Sequence, residues 1–237
     1  MGNPLTMKLG HGSKLTSDDR QRLDALIETS SRIEAYQDLI REHDPPGHVR
    51  LILEGFVCRY KILENGRRSI IAYLVPGDIC DLHVAILRRM DHAMCTLTPC
   101  KVVFISPETI EDLTTNYPRI ARALWWATLV DAATLREWLV NLGQRPSDQR
   151  LGHLFCELLM RLQTVELADE NSYHLPLTQE ALADTLGIST VHVNRVLQQL
   201  REDGLVVFRD HRLIIPNVKQ LKEFAGFDGN YLHLDGG

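Results

Sequence analysis

The most informative segment of the sequence runs from Leu177 to Pro216 and reads LTQEALADTLGISTVHVNRVLQQLREDGLVVFRDHRLIIP. Thr178 can cap a first helix, Gly187 can end that helix in the left-handed conformation, and Ser189 can cap a second helix. Apolar residues recur at helical spacing in both segments, so the two helices are expected to pack on each other. The pattern predicts a helix-turn-helix.

A hairpin is predicted directly after the second helix. Two runs of β-forming residues, Leu205–Phe208 and Arg212–Ile215, flank the polar turn Arg209-Asp210-His211. A hairpin at this place is typical of the wing of a winged helix-turn-helix. An αα-hairpin and a β-hairpin belonging to an unrelated core would give the same pattern, since helix-turn-helix patterns alone are often false positives.

The outward face of the second helix separates these two interpretations. It carries Thr190, His192, Asn194 and Arg195. A helix with a purely structural role usually exposes Glu and Lys, whereas hydroxyl, imidazole, amide and guanidinium groups can bind base edges and phosphates. We therefore expect double-stranded DNA as the partner. A module whose helix-turn-helix binds only another protein is the alternative.

The segment from about Gly47 to Ser106 predicts a β-domain, because short runs of Val, Ile, Leu, Tyr and Phe alternate with turns. The expected strands lie within Val49–Leu63, with a break at Glu54-Gly55, and within Ser69–Val75 and Lys101–Ile105. Glu64–Arg67 forms the expected hairpin turn, and Pro76-Gly77-Asp78 ends the sheet. Ser106 is the expected cap of a following helix, with Pro107 at its first position.

Taken in order, Gly55, the Asn65-Gly66 turn, Pro76-Gly77-Asp78 and the helix-turn-helix resemble the CRP/FNR superfamily of bacterial transcription regulators. The resemblance implies an α+β chain in three parts. These are a double-stranded β-roll with N-terminal helices in residues 1–116, a long central dimerisation helix in 117–143, and a winged helix-turn-helix in 147–237. It implies a homodimer that binds a palindromic operator, with RNA polymerase as a further partner if the protein activates transcription.

The same resemblance assigns expected DNA contacts residue by residue. Thr178 and Gln179 match positions that hold the phosphate backbone. In the superfamily the recognition helix opens with a Ser cap, here Ser189, and the residues one, two and six places later commonly contact bases or phosphates. Those residues here are Thr190, Val191 and Arg195, while His192 and Asn194 add polar contacts. Arg195 can contact a guanine, whereas Val191 replaces the usual Glu and cannot accept a hydrogen bond from cytosine.

The effector of the β-roll is not predicted. Superfamily members that bind cyclic nucleotides carry a Gly-Glu-Leu element and an Arg-Ser or Arg-Thr pair around the phosphate, because a buried anion needs an Arg fork and backbone amides. Here those places read Cys80-Asp81-Leu82 and Asp91-His92-Ala93. The residues expected to line an empty or repurposed pocket are Gly77, Asp78, Cys80, Asp81, His83 and His92. A regulator that responds to cyclic nucleotides and one that is constitutively competent both stay open.

A metal centre finds little support in the sequence, and no cofactor is predicted. An iron–sulfur cluster of the FNR kind needs cysteines near the N-terminus, but the first cysteine here is Cys58. Cys80, His83, Cys95 and Cys100 fall in one domain and could form a metal or redox site, although their spacing fits no tight ligand motif.

A long amphipathic helix is predicted between the two domains, from Tyr117 to Leu142. Its apolar residues lie close to heptad spacing, which is typical of a dimer seam. The expected interface residues are Ile120, Leu124, Ala127, Leu135 and Trp138. An ordinary helix lying across its own β-domain is the alternative. Next we expect a hinge at Gly143–Pro146, a helix capped by Ser147, a polar loop over 164–176, and a last helix that frays beyond Gly226.

Composition restricts the function further. A chain of 237 residues with 44% hydrophobic content is long enough for two modest domains. The net charge of −5 does not favour binding to nucleic acid. Binding must therefore depend on the local placement of Arg195, Arg201, Arg209 and Arg212.

Location and catalysis are also restricted. The sequence has no apolar run near the ~20 residues of a membrane span and no apolar signal core, so a cytoplasmic protein with reduced cysteines and no membrane partner is predicted. No His-x-His pair, P-loop or dinucleotide-binding glycine motif occurs. The chain is therefore not expected to be an enzyme. A metal-dependent enzyme of the cupin type, built on the β-roll, is the rival.

Overall fold

The computed structural model describes residues 2–82 and 86–234. Within them the helices are α1 (Pro4–Leu9), α2 (Ser17–Leu26), α3 (Pro107–Asn116), α4 (Pro118–Gln144), α5 (Ser147–Gln163), α6 (Gln179–Leu186), α7 (Thr190–Glu202) and α8 (Val218–Ala225), followed by a 3₁₀ turn at Gly229–Leu232. The strands are β1 (Ser30–Ile33), β2 (Asp38–Ile40), β3 (Val49–Glu54), β4 (Val57–Ile62), β5 (Arg68–Leu74), β6 (Ile79–Cys80), β7 (Ala93–Thr96), β8 (Cys100–Ile105), β9 (Ser172–His174), β10 (Val207–Arg209) and β11 (Arg212–Ile214).

The chain divides into two compact units. The first contains residues 1–61, 71–132 and 233–237, and the second contains 62–70 and 133–232. Helix α4 is continuous from Pro118 to Gln144 and contributes to both units. The fold class predicted from the sequence, an α+β chain with an N-terminal β-roll, a long central helix and a C-terminal winged helix-turn-helix, is confirmed.

The β-roll consists of two four-stranded sheets, with strand orders β1-β8-β3-β6 and β2-β7-β4-β5. Side chains from both sheets, including Ile52, Val57, Met94 and Val102, form one buried apolar cluster. The tight connection between β3 and β4 depends on Gly55, whose φ is +88° and whose added Cβ would lie 2.5 Å from the carbonyl oxygen of Pro99. Only glycine satisfies both conditions without strain.

A second apolar cluster covers the outer side of the roll. It joins α1, α2, β3, β8, α3 and α4 through residues such as Leu5, Leu23, Leu51, Leu113 and Ile120. Helix α2 begins with a complete capping box, because Thr16 and Asp19 exchange side-chain and backbone hydrogen bonds. Helix α3 begins as predicted, with the hydroxyl of Ser106 accepting from the amide of Thr109.

The second unit is organised around α5, which contacts α6, α7, α8 and β9. Buried Glu157 on this helix accepts hydrogen bonds from Arg161 Nη1, Trp138 Nε1 and the hydroxyl of Tyr231, each at 2.9 Å. A fully buried carboxylate is tolerated only when its acceptor sites are filled in this way. Glu157 therefore connects the end of α4 and the C-terminal tail to α5.

Three local predictions for the second unit were wrong. The N-cap of α5 is Pro146. Ser147, which was predicted as the cap, is the first residue of the helix, and its hydroxyl is hydrogen-bonded to His192. The segment 164–176 is not all loop, because β9 pairs with β11 and makes the wing sheet three-stranded, in the order β10-β11-β9. The tail does not fray directly beyond Gly226, because Tyr231 and Leu232 are buried.

The faces of α4 also differ from the prediction. Ile120, Leu124 and Trp138 are at most 7% exposed, because they pack inside the chain's own units, and Ala127 is partly buried. Among the residues predicted for an interface, Leu135 is exposed. The large apolar side chains that α4 exposes are Trp125, Leu129, Leu135, Leu139, Val140 and Leu142. Over the described residues no helix is long and apolar enough to span a bilayer.

Candidate functional site

The helix-turn-helix is formed by α6 and α7, and its ends are set by local sequence. The hydroxyl of Thr178 accepts from the amide of Ala181 at 3.1 Å, and that of Ser189 accepts from the amide of His192 at 3.2 Å. Gly187 ends α6 with a φ of +67°, in the left-handed region that favours glycine. The three turn signals predicted from the sequence are confirmed.

The inner faces of the two helices pack on α5 and on each other. The buried apolar side chains are Ala181, Leu182, Ala183 and Leu186 of α6, and Val193, Val196, Leu197 and Leu200 of α7. This packing leaves the opposite face of α7 exposed. All eight residues predicted to contact DNA are exposed: Thr178, Gln179, Ser189, Thr190, Val191, His192, Asn194 and Arg195.

Two hydrogen bonds orient polar side chains on this face. Nε2 of His192 lies 2.9 Å from the hydroxyl oxygen of Ser147, and the amide nitrogen of Asn194 donates to Oε1 of Gln179 at 3.4 Å. The first bond links the start of α7 to the start of α5, so it restricts the imidazole ring. No sequence signal predicted this bond, because the two residues are 45 positions apart.

The four arginines expected to support binding are not equivalent. Arg212 is paired with Asp169 and donates to the hydroxyl of Ser172 at 2.8 Å. The guanidinium of Arg201 lies over the ring of Phe208, 5.1 Å from its centroid. Arg195 has no ion-pair partner among the residues that the structure describes. Its guanidinium is therefore available to a ligand.

The wing ends in a turn where Asp210 and His211 both have positive φ, at +48° and +59°. This backbone is the kind of two-residue turn that matches the twist of a β-hairpin. The turn brings Arg209 opposite Arg212 in the strand register. Arg209 is exposed at the tip of the wing.

The residues predicted to line an effector pocket lie in the first unit. Gly77, Asp78, Cys80, Asp81 and His92 are buried, and His83 falls outside the described residues. Asp78 has a structural role, because its carboxylate accepts from the amide of Val75 at 2.8 Å and pairs with Lys8. Gly77 has a φ of +90° in the same turn.

A buried ionic cluster occupies this region, and its central residue was not predicted. Arg59 on β4 lies 2.6 Å from Asp131 on α4 and 3.8 Å from Asp81. His92 lies 3.4 Å from Asp81 through Nε2 and 2.7 Å from Asp91 through Nδ1. A charged residue within an apolar strand was the signal in the sequence that could have indicated Arg59.

Three cysteines of the roll contact one another or the backbone. Sγ of Cys58 and of Cys95 are 3.5 Å apart across β4 and β7, and Cys100 donates to carbonyl oxygens. Burial raises the pKa of the Cys80 thiol. Among the residues described, no three His, Cys, Asp or Glu side chains are arranged to hold a metal ion.

Comparison with known families matches both halves of the chain. Residues 31–117 match the cyclic nucleotide-binding domain, and residues 149–224 match the Crp-like helix-turn-helix domain. The first match covers the strands of the β-roll, and the second covers α6 and α7. They define a class of protein in which a β-roll precedes a DNA-binding winged helix.

Known relatives cover most of the chain. It is 25% identical to the transcriptional activator protein FnrL of Cereibacter sphaeroides, over 83% of this chain and 80% of that protein. It is 24% identical to the nitrogen fixation regulation protein FixK of Azorhizobium caulinodans, over 71% and 67%. The solved structure of FixK2 from Bradyrhizobium japonicum superposes with a TM-score of 0.73 at 24% identity, covering 82% of this chain and 96% of that one.

The order of the two matched domains, the fold and these relatives all indicate the same family. The chain belongs to the CRP/FNR family of transcription regulators, and it is a DNA-binding regulator.

Proposed function

We propose that the protein is a homodimer that binds a palindromic operator through two copies of α7. The observation that supports this proposal best is the exposed face of α7, where polar groups and the exposed guanidinium of Arg195 lie together. In a two-fold dimer two such helices meet successive major grooves about 34 Å apart. The operator therefore has two half-sites about one helical turn apart.

The proposed contacts follow from exposure and orientation. Arg195 makes the bidentate contact with a guanine, and Val191, which is 62% exposed, contacts a thymine methyl. His192 is held by Ser147, so its ring meets DNA in one orientation. Thr178, Gln179 and Ser189 hold phosphates, and Thr190 and Asn194 add polar contacts. Val191 in place of the usual Glu makes the half-site differ from those read by a glutamate.

The dimer interface is assigned to the exposed stripe of α4. Trp125, Leu129 and Leu139 are 71%, 62% and 74% exposed, and they recur at helical spacing with Val140. An apolar stripe of this size on one helix is typical of an interaction surface. Leu135 stays a proposed interface residue, whereas Ile120, Leu124 and Trp138 are assigned to the internal packing.

We also propose a role without catalysis, a further protein partner and a location for the protein. The relatives are transcription regulators, which supports a role without catalysis. RNA polymerase is the proposed further partner if the protein activates transcription. A cytoplasmic location follows from binding DNA in a bacterial cell.

Selection of bound duplexes from a random pool by the purified protein tests the proposal. We expect enrichment of a palindrome, with a mass in sedimentation equilibrium that corresponds to two chains. The variant Leu129→Glu should reduce dimerisation and operator binding together, and the exposed Lys219→Ala on α8 is the control. Lack of any enriched sequence, or binding of one half-site by a monomer, would contradict the proposal.

The variant Arg195→Ala tests the assigned contact. Loss of a bidentate pair costs about 1 to 3 kcal/mol of binding free energy and relaxes the preference at one base pair. Arg195→Lys keeps the charge but not the fork, so it should also relax that preference. Equal weakening on every sequence would instead identify Arg195 as a phosphate contact.

A further inference from the structure

Arg59, Asp81 and His92 of the buried cluster fall in the segment that matches the cyclic nucleotide-binding domain. Arg59 is 5% exposed, and its guanidinium lies between two carboxylates that come from different elements. Asp81 follows β6, whereas Asp131 belongs to α4 and its side chain is 42% exposed. The Arg59 to Asp131 contact is therefore a link between the roll and the central helix that is open to solvent on one side.

The cluster already contains enough negative charge to balance its cations. Three carboxylates, Asp81, Asp91 and Asp131, lie within 4 Å of Arg59 or His92. A phosphate placed beside Arg59 would have to displace Asp131 or add a further negative charge next to Asp81. Either change is unfavourable at a site with low exposure to water.

Burial of a guanidinium also requires a permanent partner. Desolvation alone lowers the pKa of Arg59, but Asp131, Cys80 and Asp81 oppose it and hold this pKa above its ordinary value. Among the described residues, Asp131 is the carboxylate within hydrogen-bond distance of Arg59. Removing it would leave the buried guanidinium with the longer contact to Asp81, and a buried pair that loses one partner is strongly destabilised. Asp131 is thus strongly bound to Arg59.

From this geometry we propose that the carboxylate of Asp131 takes the place of an anionic effector in the β-roll. The protein then holds α4 with its own side chain and needs no cyclic nucleotide or other acidic ligand to bind DNA. Because α4 is one continuous helix from 118 to 144, fixing its first half in the roll also restrains the part that leads to α5. The inference rests on the proposed operator binding.

The first test removes the internal anion. We expect Asp131→Ala to weaken operator binding by about tenfold, a size typical of coupling between sites. Sodium acetate should restore part of the affinity in this variant, because a small carboxylate can reach Arg59 from the solvent side of Asp131. Sodium chloride at equal ionic strength serves as the control, since DNA binding depends on salt.

Three further variants make the result specific. Asp131→Glu keeps the charge and should bind as the natural protein does. The double variant Arg59→Met with Asp131→Ala should not respond to acetate. Asp112→Ala removes an aspartate of similar exposure, which pairs with the more exposed Arg22 on α2, and should leave operator binding unchanged.

Titration of the natural protein with cyclic AMP supplies a readout that does not need DNA. We expect no heat of binding. In a separate measurement with the operator, cyclic AMP should leave the affinity unchanged. Measurable binding of the nucleotide, natural affinity in Asp131→Ala, or an acetate effect that is equal in all variants would each overturn the inference. If the natural protein selects no operator, the proposed function fails instead, so the two failures are distinguishable.

Discussion

Acid should destabilise the second unit through His153, which is fully buried on α5. Its ring lies 4.8 Å from that of Phe227 and 6.0 Å from that of Tyr231. Nε2 lies 3.2 Å from Glu137, but Arg145 pairs with the same carboxylate oxygen at 2.8 Å. Burial, assisted by Arg145 and opposed by Glu137, lowers the pKa of His153 to about 4.

The sign and size follow from proton linkage. The unfolded chain binds a proton at this histidine below its ordinary pKa of 6.5, whereas the folded chain does so only near pH 4. The stabilisation is therefore present above pH 6.5 and is lost as the pH falls toward 4. For these two pKa values the loss between neutral pH and pH 5 is about 2 kcal/mol of unfolding free energy.

Urea unfolding measures this loss if the signal comes from the second unit alone. Of the chain's 3 tryptophans, Trp138 belongs to this unit, whereas Trp125 and Trp126 belong to the other. Replacing the latter two by Phe makes the fluorescence of Trp138 the reporter, and its hydrogen bond to Glu157 makes that signal sensitive to unfolding. The unfolding free energy is then compared at neutral pH and at pH 5.

The variant His153→Leu isolates the effect of the histidine, because leucine suits an apolar site and does not titrate. We expect its unfolding free energy to fall by about 2 kcal/mol less between the two pH values than that of the parent. An equal fall in both proteins would contradict the assignment of the acid sensitivity to His153. It would show that other groups cause the acid sensitivity.

Three further predictions concern buried groups. Glu157→Ala leaves the buried donors of Trp138 and Tyr231, and the partly exposed Arg161, without their acceptor. It should cost about 3 to 5 kcal/mol in urea unfolding, whereas exposed Glu170→Ala should have little effect. A small cost for Glu157 would count against its role in connecting α4, α5 and the tail. Gly55→Ala places a Cβ at a positive φ and against the carbonyl oxygen of Pro99, so it should lower the unfolding free energy by at least about 2 kcal/mol. Gly66→Ala should cost less, because its added Cβ meets open space. Equal costs would show that the close contact at Gly55 is relieved. All five cysteines are free and buried. An aromatic disulfide reagent should therefore react slowly with the native protein and fully after denaturation. Fast reaction of one thiol in the native protein would identify an opening of the fold.

Elements whose signals lie within a few residues could be predicted from the sequence alone. Caps such as Thr178 and Ser189 bond to an amide three residues away, and Gly187 needs only its own backbone angle. The alternation of apolar residues with turns placed most strands of the roll in the same way. Each of these signals involves only residues that are close in the sequence. They were therefore sufficient to predict the class of fold and the exposed face of α7.

Contacts between residues that are distant in the sequence became visible only in the tertiary structure. Ser147 had the pattern of a cap, yet its hydroxyl is bound to His192, and β9 exists because β11 lies beside it. The heptad pattern of α4 did not distinguish a partner chain from the chain's own core, because both accept the same apolar stripe. Arg59 and Asp131 are 72 positions apart, and a charged residue in a strand does not reveal which anion compensates it until the fold brings the two together.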